Sequence, residues 1–246
     1  MEWGASSTYS ATTSIRPSTW TPSGRTSATD SRSVRHTWTS RPTTKTNKSD
    51  FIFITAPENV AWILNIRGND GPNSPIPNCR LIISKTKKII LISKIKKCRK
   101  LFKEKIIKSH QFIDIKELPK KIFDFKGKNF IIDKNSCSIY YEDLIKSKFK
   151  IKSREDPTYF LKSIKNKTEI NNMKKAHVED GVALTKFLFW LKKNFKKKKI
   201  TEISAQRKLE GFRKINKTYK FPSFSTISGT GPNSAIIHYK ASDETN

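Results

Sequence analysis

The chain is predicted to be an α/β protein from residue 51 onward, and two observations lead to this prediction. Between residues 51 and 155, short β-branched or aromatic runs bounded by turn residues alternate with helical stretches. Beyond Pro157, apolar residues recur at intervals of three and four, which is typical of amphipathic helices. We therefore expect a mixed sheet with flanking helices, followed by a mainly helical part.

Four runs rich in β-branched and aromatic residues predict the first strands. They are Phe51 to Thr55, Val60 to Asn65, Arg80 to Ser84 and Ile89 to Ser93. Regular structure is not expected in the loop after Arg67 and Gly68, because this loop contains Pro72, Pro75 and Pro77. Helices and strands then alternate through Lys96 to Lys108, Phe112 to Ile115, Leu118 to Phe123, Phe130 to Asp133, Tyr140 to Ser147 and Phe149 to Lys152.

A long helix is predicted after Pro157. We expect Thr168 to cap it, with Glu169 placed favourably against the helix dipole. His177 lies on its apolar stripe, so we expect this histidine to be packed and not to act as a ligand. The stripe comprises Met173, His177, Asp180, Leu184, Phe187, Leu188, Leu191 and Phe195.

A second helix is predicted from Thr201 to about Ile215, with Leu209 and Phe212 facing inward. Two strands are expected after it, Phe221 to Ile227 and Ala235 to Tyr239, joined by a polar turn. The second of these strands would carry His238 at its far end. Gly229 and Gly231 would permit a tight backbone approach in the turn.

Residues 1–50 differ in composition from the rest of the chain. Serine and threonine supply 23 of these 50 residues, and lysine is absent before Lys45. No apolar period is present, so this segment is predicted to be disordered. The abrupt change near residue 48 is also compatible with an anomalous leader, out of frame or spliced in.

The net charge raises the hypothesis of nucleic-acid binding. The chain has 50 basic and 21 acidic residues, a formal charge of +29. Residues 51–246 contain 37 lysines but only 6 arginines, spread over predicted strands, helices and loops alike. Because a nucleic-acid site concentrates charge on one face and favours arginine, no specific nucleic-acid partner is expected.

Composition and cysteine usage favour a soluble cytoplasmic protein. Mean hydropathy is −0.62, and no apolar run approaches the roughly 18 residues that a membrane span requires. The N-terminus lacks the hydrophobic core of a secretory signal. Cys79, Cys98 and Cys137 are odd in number and lack CxxC spacing, so they are expected to be reduced.

Four segments, in order, resemble the Xaa-Pro aminopeptidases of the three-domain cytosolic type. They are residues 55–70 (TAPENVAWILNIRGND), 164–183 (IKNKTEINNMKKAHVEDGVA), 200–205 (ITEISA) and 226–246 (TISGTGPNSAIIHYKASDETN). The resemblance implies a creatinase-type, ribonuclease H-like noncatalytic domain at residues 51–155. It also implies that residues 156–246 are the start of a pita-bread metallopeptidase domain, which would be incomplete.

The resemblance further implies a hydrolase that releases an N-terminal residue when proline is second. Family members use two divalent metal ions, commonly manganese, and the complete enzyme is expected to be a cytoplasmic protein that can form a homodimer. By resemblance, His238 matches a histidine that contacts substrate and stabilises the tetrahedral intermediate. A related enzyme of the same fold with different chemistry, such as creatinase, is a less favoured interpretation. The alternative outside the enzymes is a noncatalytic basic protein that binds nucleic acid nonspecifically.

The family takes its metal ligands from a region that follows the position of Asn246. Two aspartates, a histidine and two glutamates are required, and none is located in this chain. Asp243 and Glu244 precede that region and are expected in a solvated turn. We therefore expect this chain to be an N-terminal fragment without bound metal, and to be inactive.

Overall fold

The computed structural model describes residues 16–17, 49–197 and 199–243. The expected disordered leader at residues 1–50 lies outside the described residues, apart from residues 16–17 and 49–50. The chain divides into two compact units between Ser163 and Ile164. The domain boundary expected from the sequence, after residue 155, stays a prediction.

The first unit contains two sheets. A small antiparallel sheet pairs β1 (Arg16–Pro17) with β3 (Ile66–Arg67). The main sheet has six strands in the spatial order β6-β5-β4-β2-β7-β8. Its members are β2 (Phe51–Ile54), β4 (Arg80–Ser84), β5 (Ile89–Ser93), β6 (Phe112–Asp114), β7 (Asn129–Ile132) and β8 (Lys150–Ser153).

Strand β4 runs antiparallel to both of its neighbours, whereas the other pairings in this sheet are parallel. Such a mixed sheet is what the alternation of strands and helices predicts. The strands predicted at Arg80 to Ser84 and Ile89 to Ser93 have those bounds in the structure.

Both faces of the main sheet are buried along its central strand β2, which is apolar at every position. Successive side chains of a strand point to opposite faces. In β2, Ile52 and Ile54 belong to one hydrophobic cluster, and Phe51 and Phe53 belong to the other. A continuous apolar run therefore contributes to two cores, one on each side of the sheet.

Helices flank this sheet in the first unit. They are α1 (Pro57–Leu64), α2 (Ile95–Lys103), α3 (Leu118–Lys121), α4 (Ile139–Lys146) and α5 (Thr158–Ser163). Short 3-10 turns lie at Ser109–Gln111 and Ile122–Asp124.

The strand predicted from Val60 to Asn65 is wrong, since this segment belongs to helix α1. Pro57 occupies the first helical turn, and Asn65 ends the helix in a left-handed conformation with a φ of 50°. Val60, Ile63 and Leu64 are buried at helical spacing. The β-branched residues therefore pack as the inner face of a helix, because tertiary burial outweighs their strand propensity.

The second unit contains α6 (Lys167–Asn194), α7 (Glu202–Lys214) and a 3-10 turn at Gly231–Ala235. Helix α6 confirms the predicted long helix, but its cap is Asn166 and not Thr168. The Asn166 side chain accepts from the Glu169 amide at 2.9 Å, and the Glu169 carboxylate accepts from the Asn166 amide at 2.8 Å. This reciprocal pair is a capping box.

The apolar stripe of α6 is largely open to solvent. Met173, Leu184, Leu188 and Phe195 are all at least 41% exposed. Ala183 of this helix is buried, and α7 packs against α6. His177 is exposed too, with its Nδ1 atom 2.9 Å from the Met173 carbonyl oxygen. The expectation that His177 is packed is therefore wrong: within the described part of the second unit, no element covers that part of the helix.

The strands predicted at Phe221 to Ile227 and Ala235 to Tyr239 are also wrong. Residues 220–230 have no regular structure, and residues 231–235 form a 3-10 turn. An isolated strand is not stable without a partner, and no strand occurs among the described residues of this unit. Across the described residues, no helix is long and apolar enough to span a membrane.

Candidate functional site

The segment that carries His238 is organised by a buried carboxylate at the start of helix α7. Glu202 occupies the first helical position after the cap, Thr201, and is only 3% exposed. A carboxylate in the first turn is stabilised by the helix dipole. Burial of a charge is costly unless hydrogen bonds compensate for the lost water, and the loop after α7 supplies them.

Three donors from residues 230–239 converge on the Glu202 side chain. Its Oε1 atom accepts from the Thr230 amide at 2.7 Å and from the Asn233 side-chain amide at 3.1 Å. Its Oε2 atom accepts from the phenol of Tyr239. The Asn233 side chain also donates to the Tyr239 oxygen at 3.0 Å. One carboxylate therefore fixes this segment on both sides of His238.

Two glycines shape the same segment, although not by leading into a strand. A Cβ atom at Gly229 would lie 3.1 Å from the Asn233 carbonyl oxygen, so the backbone approaches closely here. Gly231 has a φ of 54°, a conformation that side chains other than glycine rarely adopt. Both features compress the loop into the 3-10 turn.

His238 lies after this turn, exposed to solvent, with a φ of 56°. The sequence predicts that His238 lies at the end of a buried strand, and this prediction is wrong. The hydrogen bonds to Glu202 hold the flanking residues in a compact loop, and this arrangement replaces the extended one. A non-glycine residue in the left-handed region is uncommon and is often found at a functional site.

Helix α7 is in turn held against α6 by two acidic residues of α6. Asp180 binds the guanidinium of Arg213 through two contacts of 2.6 and 3.2 Å. Glu179 accepts from the side chains of Asn216 and Thr218. The hydrogen bond from Asn216 is the main reason that the pKa of Glu179 is lowered. These contacts hold the C-terminal end of the helix that carries Glu202.

The first unit has a separate buried polar cluster, which involves the motif at residues 55–70. Asn59 donates to the carboxylate of Asp156 at 2.7 Å and accepts from the ammonium group of Lys162 at 2.5 Å. The Asp156 amide donates to Asp133 at 2.9 Å. Burial raises the pKa of Asp156. This cluster fastens α5 to α1 and to the end of β7, so its role is to stabilise the fold, and it places α5 in the first unit.

The sequence did not indicate the roles of Glu202, Glu179 or Asp180. Each lies in a segment that carries the family resemblance, but its partners are 28 to 39 residues away. The only local sequence signal for Glu202 is the predicted helix start at Thr201. It predicts a helix cap, but it does not predict which loop Glu202 binds.

Among the described residues, no group of three or more histidine, cysteine or acidic side chains could hold a metal ion. Asp243 is exposed in a turn, 3.6 Å from Arg207, as a solvated residue would be. Glu244 lies outside the described residues. The three cysteines are free and buried, and burial raises the pKa of Cys79 to about 12.

Two protein-family profiles match the chain, one after the other. The profile described as Creatinase/Prolidase N-terminal domain matches residues 15–169. The chain belongs to the creatinase/prolidase family. The profile of metallopeptidase family M24 matches residues 171–245. The first match begins at residue 15, inside the segment whose composition predicts disorder.

Relatives of this family member are named as Xaa-Pro aminopeptidases. Xaa-Pro aminopeptidase 1 of Dictyostelium discoideum is 32% identical over 207 residues, which are 82% of this chain and 32% of that protein. The probable Xaa-Pro aminopeptidase P of Paracoccidioides brasiliensis strain Pb03 is 33% identical over 210 residues, 79% of this chain and 34% of that protein. The chain thus spans about a third of the length of these relatives.

Solved structures of this family share the fold. The X-prolyl aminopeptidase of Caenorhabditis elegans, described as a cytosolic enzyme with a di-nuclear active site, matches with a TM-score of 0.72 and 24% identity. That match covers 87% of this chain and 36% of the other. The prolidase of Pyrococcus horikoshii OT3 has a TM-score of 0.57 and 20% identity, covering 88% of this chain and 57% of the other. The fold class and the resemblance predicted from the sequence are confirmed.

Proposed function

We propose that this chain belongs to an Xaa-Pro aminopeptidase, a hydrolase that removes an N-terminal residue when proline is second. The observation that carries the proposal is the 32% identity to a relative of that name over 207 residues, which extend across 82% of the chain. The ordered matches to an N-terminal creatinase/prolidase domain and to family M24 support it. We propose the activity for a protein of the relatives' length, with proline-containing peptides as substrates.

We propose that two divalent metal ions are the cofactors of that enzyme, and that these ions are manganese. The M24 match and the di-nuclear site named for the worm enzyme support two metals. The described residues of this chain do not fit such a centre, because no cluster of suitable side chains occurs among them. For this reason we propose that the 246-residue chain alone does not hydrolyse Xaa-Pro peptides.

The two units have different proposed roles. The first, which contains the expected domain at residues 51–155, would be a noncatalytic domain of the creatinase type. The second, within the expected domain at residues 156–246, would contribute the opening helices of the catalytic domain. The division between Ser163 and Ile164 supports two domains.

We propose His238 as the catalytic residue that this chain contributes. Its imidazole would donate a hydrogen bond to the substrate carbonyl oxygen as negative charge develops there. Three features support this role: the exposed side chain, the unusual backbone conformation and the fixation of its flanking residues by Glu202. A hydrogen-bond donor stabilises a transition state best when its position is fixed before the reaction begins.

A cytoplasmic location and a homodimer are further parts of this proposal. The description of the worm enzyme as cytosolic supports the location, as do the three free cysteines. The homodimer is proposed from the family resemblance of the sequence.

The charge of +29 favours nonspecific nucleic-acid binding as a second candidate. Binding through scattered lysines would be indifferent to sequence and would fall steeply between 50 and 200 mM salt, by about 10³-fold if six phosphates are contacted. Filter binding at the two salt concentrations measures this fall. Retention of one sequence against bulk competitor at the higher salt would instead identify a specific nucleic-acid protein.

The proposed activity is tested with the purified chain and with a longer one. The 246-residue chain is incubated with manganese and an Xaa-Pro-Xaa peptide, and release of the first residue is followed by chromatography. We expect no release from this chain, but release from a chain extended with the remaining M24 region of a close relative. Release by the short chain would refute the proposed inactivity, and an extended chain that binds manganese but cleaves no Xaa-Pro peptide would refute the proposed activity.

A further inference from the structure

A cavity of about 450 Å³ lies on one face of the main sheet in the first unit. Its wall is built from four neighbouring strands, the turn between β4 and β5, His110 of the first 3-10 turn, and the segment around the second 3-10 turn. Ligand pockets for small organic molecules have volumes of about 300–1,000 Å³. The cavity is therefore large enough for a small organic ligand.

The floor of this cavity is apolar. It is formed by side chains that share one face of the sheet, together with the ring of Phe125. Ile82 and Ile90 are direct partners in neighbouring strands, so they present adjacent apolar surfaces. Ile90, Ile113 and Phe125 are only half-buried, which leaves apolar surface exposed to a ligand. The floor residues are Phe51, Ile82, Ile90, Ile113 and Phe125.

The rim is basic. Four lysines line the cavity, against two carboxylates. The lysines come from two places: Lys85 and Lys88 from the turn between β4 and β5, and Lys121 and Lys126 from α3 and the segment after it.

Both carboxylates of the rim are already engaged. Asp50 binds the ammonium group of Lys85 at 2.6 Å and accepts from the Lys128 amide at 2.7 Å. Asp124 lies 3.4 Å from the ammonium group of Lys121. Among the described residues, no ion pair involves Lys88 or Lys126. The rim therefore keeps two positive charges that its own acids do not neutralise.

We propose that this cavity binds a small amphipathic carboxylate. The apolar body of the ligand lies on the isoleucine and phenylalanine floor, and its carboxylate lies between Lys88 and Lys126. The apolar floor supplies the driving force, and the two lysines select for negative charge. This site lies in the first unit and is independent of the proposed peptidase activity.

The probe for this site is 1-naphthoate, with neutral 1-naphthamide as its matched analogue. Binding to the 246-residue chain is measured by calorimetry at low salt. For a ligand of this size we expect a Kd of about 1 mM or lower for the naphthoate, and binding of the amide weaker by about tenfold, since it lacks the charge. The naphthoate affinity is expected to decrease as salt is added, because salt screens the exposed lysines.

Two charge-reversal variants locate the binding site. K88E/K126E changes the rim, whereas K96E/K103E makes the same change of charge on α2, which packs on the opposite face of the sheet. We expect the rim variant to bind naphthoate at least about tenfold more weakly than the α2 variant. All four substituted lysines are exposed, so circular dichroism is expected to show both variants folded. Equal affinity for naphthoate and naphthamide, equal loss in the two variants, or no binding to the unmodified chain would each overturn the proposal.

Discussion

The phenol of Tyr239 donates a hydrogen bond to the carboxylate of Glu202, which lies 37 positions earlier in the chain. This contact closes a loop around His238, since Glu202 also accepts from Thr230 and Asn233 on the other side. The position of His238, the proposed catalytic residue, therefore depends on the carboxylate of Glu202, although Glu202 itself is not proposed to contact the substrate.

Removal of the Tyr239 hydroxyl should loosen the segment that carries His238. A hydrogen bond to a charged group contributes about 1.5–3 kcal/mol. We therefore expect trypsin to cleave Tyr239→Phe after Lys240 about tenfold faster or more than the unmodified chain, because the backbone there is less firmly held. Cleavage after Lys240 is measured by mass spectrometry over time. Tyr219→Phe is the control, because the Tyr219 hydroxyl lies 3.5 Å from Glu210 and contributes little. Equal cleavage of Tyr239→Phe and the unmodified chain would show that Glu202 does not hold this loop.

Gly68 should be intolerant of any side chain, in contrast to Gly71 three residues later. A Cβ atom at Gly68 would lie 2.6 Å from the Cα atom of Pro77, whereas one at Gly71 would meet nothing closer than 3.7 Å. We expect Gly68→Ala to lower the free energy of unfolding by about 1–3 kcal/mol, because the proline backbone must move. Gly71→Ala is expected to change it by less than about 0.5 kcal/mol. Urea unfolding followed by circular dichroism measures both, and equal effects would contradict the close approach.

Asp50 should contribute stability at neutral pH that is lost in acid. Hydrogen bonds from the Lys128 amide and from Lys85 lower the pKa of its carboxyl group. The contribution is fully present above the unfolded-state pKa of about 3.9, and it decreases as the pH falls through the lowered folded-state pKa. We expect Asp50→Asn to be less stable than the unmodified chain at pH 7 and the difference to shrink below about pH 4.

Urea unfolding of the Asp50 variant at several pH values tests this expectation. The control is Asp143→Asn, since Asp143 is exposed on α4. A stability difference for Asp50→Asn that stays constant from pH 7 to about pH 3 would mean that its ionised form is not the stabilising one.

The main sheet could be predicted from local sequence, whereas the loop around His238 could not. Runs such as Arg80 to Ser84 are bounded by turns and buried on both faces, and their β-branched composition favours strands. The run from Val60 to Asn65 has similar composition but folds as a helix, because Pro57 starts a helix there. A short apolar run does not distinguish these two outcomes.

The sequence proposes His238 as a site residue, which stays a prediction, but it does not predict the surroundings of this residue. Its exposure and backbone conformation depend on Glu202, whose partners are between 28 and 37 positions away. Periodicity describes neighbours within a few residues, so it cannot show that a glutamate at a helix start will bind a distant loop. The sequence pattern of Ala235 to Tyr239 fits a strand, but the hydrogen bonds to Asn233 and Tyr239 favour the compact loop.

His238 should affect turnover without affecting metal content. The test uses a chain extended with the remaining M24 region of a close relative, in which the complete enzyme can form. Removal of one oxyanion-stabilising donor typically lowers kcat by about 10²–10³-fold, and we expect His238→Ala to fall in this range with bound manganese unchanged. His238→Asn should be less impaired, because asparagine tolerates the left-handed conformation and retains a hydrogen-bond donor.

His177→Ala is the control, since His177 is exposed on α6 and has no role in the proposed chemistry. Paired measurement of manganese and kcat decides the role of His238: loss of metal in His238→Ala would identify a ligand, and normal turnover would show that this histidine is not catalytic.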